Sequence, residues 1–174
     1  MMLVKRQQVG STAQSPTELP SSLNEPRKNR PGSRLEVTPD SIIASSNFQK
    51  MSDGQLFAEI IDRYQAHDLW GFELRARAYL GKFSHGDRRD EIYYMKGLME
   101  LGEKNYGEAL AQFNRVLRDH PNGKKAPAAL FAKGVTFKKM NLIREAKLAL
   151  TEVQNRFPGS PESMRASAEL KVIK

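Results

Sequence analysis

Apolar and polar residues alternate with helical spacing from Ser52 onward. Between 52 and 65 the large apolar side chains recur at i, i+1, i+4, i+5 and i+8, which predicts an amphipathic helix. Ser52 and Gln55 have the spacing of a capping box at its start. Upstream, Thr38 as N-cap and Pro39 at the first helical position predict a short helix within 38–51. The positions that form the apolar stripe are Leu56, Phe57, Ile60, Ile61 and Tyr64.

An internal repeat organises the rest of the chain. The stretch 105–123 aligns with 142–160 at an offset of 37 residues, which pairs Ala109 with Ala146 and Phe113 with Leu150. The same offset also pairs Val116 with Val153, Pro121 with Pro158 and Gly97 with Gly134. Such self-similarity predicts a stack of helical hairpins.

The same offset reaches one more unit toward the N-terminus, where the match weakens. In 68–86, Phe72 stands where the later units have a small alanine, and Ala76 stands where they have a large side chain. This pair suggests an exchange of volumes across one packing layer. We therefore predict three hairpins, of which the first is degenerate.

Small residues predict where the two helices of a hairpin cross. Gly97 and Gly134 allow the second helix close to the first, and the large residues Phe113 and Leu150 fill the space between hairpins. Pro121 ends a second helix, since proline lacks an N–H and clashes with the preceding turn.

A seventh helix is expected at the C-terminal end of the stack. Ser160 is its N-cap, Pro161 its first residue, and Met164, Ala168 and Val172 form its buried stripe. The predicted fold is all-α, a right-handed α-solenoid of three hairpins (about 52–86, 87–123 and 124–160) within a domain of residues 52–174, closed by a capping helix at 160–173.

Residues 1–37 differ from the repeats in composition. They are rich in Ser, Pro, Asn, Gln and Arg and have no apolar period, so we expect a disordered tail. The first residues, MMLVKRQQVGS, lack the basic, apolar, small order of a secretion signal. This leaves two expectations: a cytoplasmic protein if Met1 is the native start, or a periplasmic one if the chain is a processed or cloned fragment.

Composition narrows the classes of function. The chain has no cysteine, which excludes disulfides, zinc-thiolate sites and cysteine nucleophiles. No apolar run reaches the roughly 20 residues of a membrane-spanning helix. The net charge of +8 would suit acidic partners, but a solvated surface rich in lysine is the commoner explanation.

The repeat pattern resembles the tetratricopeptide repeat, whose usual period is about 34 residues. The longer joint here, in YGEALAQFNRVLRDHPNGKKAPAALFAKG, and the later FPGSPES resemble the C-terminal repeat domain of the Tol-Pal accessory protein family. That resemblance implies a periplasmic adaptor whose partners are Tol-Pal or cell-wall synthesis components. It also implies a role in coordinating the cell envelope during division.

In repeats of this class the first helix of each hairpin lines a concave face that holds a peptide. We therefore expect an aromatic and aliphatic groove suited to an amphipathic helix or an extended apolar segment. The alternative is that these side chains pack between hairpins or beneath residues 38–51. The candidate groove residues are Phe57, Ile61, Tyr64, Tyr94, Leu98, Leu101, Phe131, Val135 and Lys138.

A second candidate surface is a basic patch in the third unit. It would suit an acidic partner, but no motif for nucleic acid accompanies it, so we expect a solvated face and no nucleic-acid binding. The residues are Lys124, Lys125, Lys133, Lys139, Arg144 and Lys147, with Lys138 beside them.

The sequence contains no arrangement typical of catalysis. His67, His85 and His120 lie at predicted turns without metal-ligand spacing, and no phosphate-binding loop is present. Asp90 and Glu91 favour a helix start for structural reasons. We expect no enzyme activity, metal or cofactor. The predicted function is an adaptor that binds a protein; the alternative is a cytoplasmic chaperone for an aggregation-prone secreted client. The oligomeric state and the partner stay open.

Overall fold

The computed structural model describes residues 38–173. The tail expected at 1–37 lies outside these residues. Within the described part all regular structure is helical, with eight α-helices and one short 3-10 turn at Asn47–Lys50. The α-helices are Pro39–Ser45 (α1), Asp53–Gln65 (α2), Leu69–Lys82 (α3), Arg89–Gly102 (α4), Tyr106–Asp119 (α5), Ala126–Lys139 (α6), Ile143–Arg156 (α7) and Pro161–Val172 (α8).

The helices begin where the sequence provides caps. The Thr38 side chain accepts a hydrogen bond from the backbone of α1, and Ser160 does the same for α8. Ser52 and Gln55 form the predicted capping box, with each side chain accepting from the other residue's N–H. These predictions of helix starts are confirmed.

Sequential helices pair into three hairpins. The pairs are α2 with α3, α4 with α5, and α6 with α7, and α8 packs against α7 and α6. The second helices α3, α5 and α7 begin at Leu69, Tyr106 and Ile143, each 37 residues after the one before. The predicted α-solenoid of three hairpins and a capping helix is thus confirmed.

The core follows the same repeat. It consists of three apolar clusters, and each combines one hairpin with the helix that follows it: α4, α6 or α8. Neighbouring clusters share Leu80 and Leu117, which are half-buried between hairpins. Each hairpin therefore completes its core only by stacking on the next helix.

The glycines of the first helices lie where the second helices cross them. A Cβ at Gly97 would be 2.8 Å from Cδ1 of Phe113, and one at Gly134 would be 2.9 Å from the side chain of Leu150. Phe113 is fully buried, and its cluster also includes Ala129 and Ala132 of α6. Its ring thus bridges its own hairpin and the next one.

The first hairpin meets the same packing requirement with different residues. Ile60 occupies the position of Gly97, and Ala76 occupies that of Phe113, 37 residues earlier in each case. Both are buried in one cluster together with Phe72, whose ring packs 6.2 Å from that of Tyr64. At this crossing the large residue lies on the first helix instead of the second. This differs from the predicted exchange between Phe72 and Ala76, which both belong to α3.

The turns inside the hairpins share an unusual backbone conformation. His67, Lys104 and Asn141, spaced 37 residues apart, have positive φ angles of 53°, 64° and 60°. Each is followed by a residue whose N–H bonds back to the last turn of the first helix, as in Asn105 N to Glu100 O at 2.9 Å. This is a Schellman-type helix end, in which glycine is the usual residue.

Replacing Lys104 with glycine is expected to raise the free energy of unfolding by about 1 kcal/mol, because a side chain in the left-handed region costs roughly 1–2 kcal/mol. Lys104→Ala is the matched control, since it removes the same side chain but keeps Cβ. Urea denaturation of both variants tests this. Equal stability of the two variants would contradict it.

Asp90 stabilises the joint between the second and third hairpins through hydrogen bonds. This carboxylate is 6% exposed; its Oδ2 accepts from Lys125 N at 3.2 Å, and its Oδ1 accepts from Glu91 N at 2.8 Å. Gly123 lies so close that a Cβ there would be 2.8 Å from Oδ2. The joint therefore has a structural role that depends on a buried acid at the start of α4.

The predicted buried stripe of α8 is wrong. Met164 and Val172 are 67% and 65% exposed, and Ala168 is exposed as well. The face turned toward α6 and α7 carries Ala166, with Leu170 and Ile173. The sequence of α8 contains two stripes of small and apolar residues. The contacts with α6 and α7 bury the stripe that was not predicted.

Residues 38–51 pack on α3. Asp40 pairs with Arg77 at 3.3 Å, and Nζ of Lys82 donates to the carbonyl oxygen of Gln49 at 2.8 Å. The ring of Phe48 is buried in the first cluster. The segment thus closes the first hairpin from the side of its second helix. No described helix is long and apolar enough to cross a membrane.

Candidate functional site

The nine predicted groove residues lie on the three first helices, α2, α4 and α6, at three equivalent levels. Most are half-buried against the core cluster of their own hairpin. Phe131 is only 7% exposed, while Lys138 is exposed. The levels are Phe57, Tyr94 and Phe131; Ile61, Leu98 and Val135; and Tyr64, Leu101 and Lys138.

Each aromatic ring of the first level has a cation over it. Arg88 lies 4.8 Å from the centre of the Phe57 ring, and Lys125 lies 5.8 Å from that of Tyr94. These two cations are 37 residues apart and come from the joints that precede α4 and α6. Cations over aromatic faces contribute about 0.5–1 kcal/mol at exposed sites.

The third ring keeps the arrangement with a different residue. Position 162, which lies 37 residues after Lys125, is a glutamate. Arg165, one turn later, lies 4.3 Å from the centre of the Phe131 ring. Sequence reasoning predicted an aromatic and aliphatic groove with Lys138 as its one cation, assigned Lys125 to the basic patch, and placed no cation over these rings. The 37-residue spacing of Arg88 and Lys125 was the signal that could have found two of these cation–ring contacts.

The cations of this face differ in how they are neutralised. Arg88 pairs with Asp53 at 2.8 Å and Lys125 with Glu91 at 3.3 Å. Lys138 pairs with Glu169 of α8 at 2.6 Å. Arg165 has no carboxylate within 4.0 Å among residues 38–173, so the α8 end of the face carries an uncompensated positive charge.

Tyr94 occupies the middle of the first level. Burial raises the pKa of its hydroxyl above the ordinary value, and the nearby Tyr64 raises it further. Arg165 of α8 acts on this pKa in the opposite direction. The hydroxyl is therefore a neutral hydrogen-bond donor at physiological pH, near groups from α2 and from α8.

A small depression adjoins the groove at the end of the first hairpin. Its volume is about 120 Å³, and its lining includes Tyr64 and Leu98 from the predicted groove. Leu69 and Met99 add apolar surface to it. This depression would accept one apolar side chain of a bound segment.

The predicted basic patch consists of residues in different environments. Lys125 is engaged by Glu91 and Tyr94, and Lys133 is half-buried with its Nζ 5.9 Å from the centre of the Phe137 ring. The other members are exposed, and none has an ion pair within the described residues. These are Lys124, Lys139, Arg144 and Lys147.

The histidines do not form a reactive cluster. His67 is the positive-φ residue of a turn, and Nδ1 of His85 lies 2.9 Å from the hydroxyl of its neighbour Ser84. Within residues 38–173, no group of three His, Asp or Glu side chains is placed to hold a metal ion.

A family profile for the tetratricopeptide repeat matches residues 128–160. The match covers most of the third hairpin and reaches the start of α8. No curated protein matches the chain. Repeats of this type generally mediate contacts between proteins and are typically non-catalytic, and no enzyme family is indicated. The match concerns the repeat class and does not extend to the Tol-Pal accessory family.

Proposed function

We propose that this protein is a non-catalytic adaptor that holds a segment of a protein partner on the face formed by α2, α4 and α6. The observation that carries the proposal is the three-level arrangement of mostly half-exposed aliphatic and aromatic side chains, which repeats every 37 residues and ends at Lys138. A partner segment with its own helical or extended period would meet equivalent contacts at each level.

The chemistry of the face defines the segment it would accept. Ile61, Leu98 and Tyr64 offer apolar contact, and Arg165, which has no ion pair within residues 38–173, offers a cation at the α8 end. An amphipathic segment with apolar side chains and an acidic group at one end matches both features. Because guanidinium groups bind carboxylates through two parallel N–H donors, the acid would also fix the direction of the segment.

In its finer form the proposal places the protein in the periplasm, as an adaptor for Tol-Pal or cell-wall synthesis components during division. Its support is the resemblance of the joint HPNGKKAP and of the FPGSPES turn to the Tol-Pal accessory family. The test is capture of a purified Tol-Pal or cell-wall synthesis protein by the full chain. Absence of capture at micromolar concentrations would reject this finer form.

The apolar depression lined by Tyr64 and Leu98 also suits a second function, a cytoplasmic chaperone for an aggregation-prone secreted client. The two functions differ in stoichiometry and selectivity. An adaptor saturates with one defined segment, whereas a chaperone suppresses the aggregation of an unfolded client. Light scattering of such a client with and without the protein separates them.

Leu98→Glu is expected to weaken partner binding by at least about tenfold, because a buried unpaired carboxylate at the contact costs more than about 1.4 kcal/mol. Leu98 is half-exposed in the free protein, so the fold should persist. The measurement is affinity purification from the native organism with wild-type and variant protein, followed by quantitative mass spectrometry.

Leu148→Glu is the matched control, since Leu148 is 72% exposed on α7, away from the three first helices. Proteins that are lost with Leu98→Glu and kept with Leu148→Glu are the partners of the groove. Equal recovery with both variants would show that α2, α4 and α6 do not form the binding face.

A further inference from the structure

A cleft of about 360 Å³ lies between the first two hairpins, on the side of their second helices. It is lined by residues of α3, α4 and α5, and none of the nine groove residues contributes to it. α3 approaches α4 over a much shorter stretch than α5 approaches α6. The small side chain of Ala76 lies in the lining, where the next hairpin has the bulky Phe113.

The lining of this cleft is strongly basic. It contains four cationic side chains and the single carboxylate of Glu73, which pairs with Lys96 at 2.7 Å. Arg89 has no carboxylate within 4.0 Å in the described part of the chain, and its Nη1 donates to the carbonyl oxygen of Leu80 at 2.8 Å. The four cations are Arg77, Arg89, Lys96 and Arg115.

The other two arginines pair only at the margin of the cleft. Arg77 lies 3.3 Å from Asp40 and Arg115 lies 3.7 Å from Asp119, neither of which lines the cleft. Exposed pairs of this kind are weak, so they do not hold the guanidinium groups against a competing anion.

Tyr93 brings two of the cations together. The Arg115 guanidinium lies 4.5 Å from the centre of its ring, and that of Arg89 lies 5.9 Å away. Nη2 of Arg89 also donates to the Tyr93 hydroxyl at 3.2 Å. Two guanidinium groups are thereby held on one aromatic side chain, which reduces the entropy that each would lose on binding an anion.

The chain provides its own comparison in the equivalent seam between the second and third hairpins. There, 37 residues later, the positions of Glu73, Arg89, Tyr93 and Gln112 are taken by apolar residues: Leu110, Ala126, Leu130 and Ala149. Ala126, Leu130 and Ala149 are buried. Packing one hairpin on the next therefore does not require polar residues at these four positions.

Gln112 indicates which anion suits the cleft. Its Oε1 is buried and has no hydrogen-bond partner among the described residues. A phosphate that keeps one proton offers acceptor oxygens to the guanidinium groups and a hydroxyl donor to this amide. A dicarboxylate ionised at neutral pH has acceptors only.

We propose that this cleft is a binding site for a phosphate group, held by Arg89, Arg115 and Lys96 against Tyr93. The phosphate is a free ion or the head of a small phosphate ester, since both present the same oxygens. The site is separate from the groove face, so it neither depends on the proposed partner binding nor supports it.

Isothermal titration calorimetry of the full chain at about pH 6, near the second pKa of a phosphate ester, tests this with three probes. These are inorganic phosphate, glycerol 3-phosphate and succinate. We expect saturable one-to-one binding of at least one phosphate and no measurable binding of succinate. Tighter binding of glycerol 3-phosphate than of inorganic phosphate would identify an ester as the ligand, and the reverse order would identify the ion.

Arg115→Gln should weaken phosphate binding by about tenfold or more, since the variant loses a charge-assisted hydrogen bond to the phosphate. Arg115→Lys should restore part of the affinity. Arg118→Gln is the matched control: it makes the same charge change on α5, and Arg118 does not line the cleft.

Three results would overturn the proposal: no phosphate binding, succinate binding as tight as that of phosphate, or equal weakening by Arg115→Gln and Arg118→Gln. The last would mean that phosphate only screens the overall positive charge. Circular dichroism spectra identical to that of the wild type would show that neither variant has lost its fold.

Discussion

Phe113→Ala is expected to lower the free energy of unfolding by about 3–5 kcal/mol, because it empties a fully buried site that touches two hairpins. The ring lies against Gly97 on one side and in the same cluster as Ala129 of α6 on the other. Urea denaturation monitored by circular dichroism measures the loss. Leu148→Ala, which truncates a 72% exposed side chain, is the control and should change stability by no more than about 0.5 kcal/mol.

The first hairpin indicates how this loss can be repaired. It has Ile60 and Ala76 at the positions of Gly97 and Phe113, so Gly97→Ile combined with Phe113→Ala reproduces a pair the chain already contains. Gly97→Ile alone should destabilise by about 1–3 kcal/mol, since a Cβ there would overlap the ring of Phe113. The double variant should be more stable than the two single losses added together predict. Strict additivity would mean that these two positions do not share one space.

Asp90→Ala should lower the free energy of unfolding by about 1.5–3 kcal/mol, because hydrogen bonds to a buried charged group contribute that much. The substitution leaves the N–H of Lys125 without its acceptor in the joint between hairpins. Asp87→Ala is the control, since Asp87 is exposed and lies three residues before Asp90.

Hydrogen exchange locates the effect of Asp90→Ala. The amide of Lys125 should exchange faster in this variant. The protection of amides in the middle of α7 should fall only by as much as the global free energy of unfolding falls. Equal destabilisation by Asp87→Ala and Asp90→Ala would show that Asp90 acts only through the charge at the start of α4.

In the joint between the first and second hairpins, a different acid has the same role as Asp90. Asp53 precedes Asp90 by 37 residues, and it binds the side chain of Arg88 instead of a backbone N–H. The Tyr79 hydroxyl donates to the same carboxylate, and burial followed by this hydrogen bond raises the pKa of Tyr79. An acid at the start of the first helix thus anchors the joint in both units by different chemistry.

The features that could be predicted from the sequence are those that recur in each hairpin because of contacts within that hairpin. Gly97 and Phe113 must be small and large because two helices cross there, and the same constraint recurs at Gly134 and Leu150. The fold class followed from this recurrence. The matched tetratricopeptide repeat at 128–160 lies in the third unit, one of the two between which the recurrence is strongest.

Other features escaped prediction because they depend on where a neighbouring unit lies. Arg165 reaches Phe131 from a helix that follows the last hairpin, outside the repeat register. Lys104 adopts a glycine-like backbone because the hydrogen bonds of the turn impose it, and its identity gives no sign of this. The buried stripe of α8 was misplaced since the contacts of α6 and α7, and not the helix itself, select the buried side.

The polar seam between the first two hairpins also affects cooperativity. In a linear array of repeats, the free energy of unfolding is the sum of the intrinsic terms and the coupling between neighbours. Here α3 and α4 approach each other over a short stretch beside the basic cleft, with Ile92 and Met95 of α4 buried in the first cluster, whereas α5 and α6 approach each other over a longer stretch. We therefore expect the first hairpin to be coupled more weakly to the second hairpin than the second is to the third.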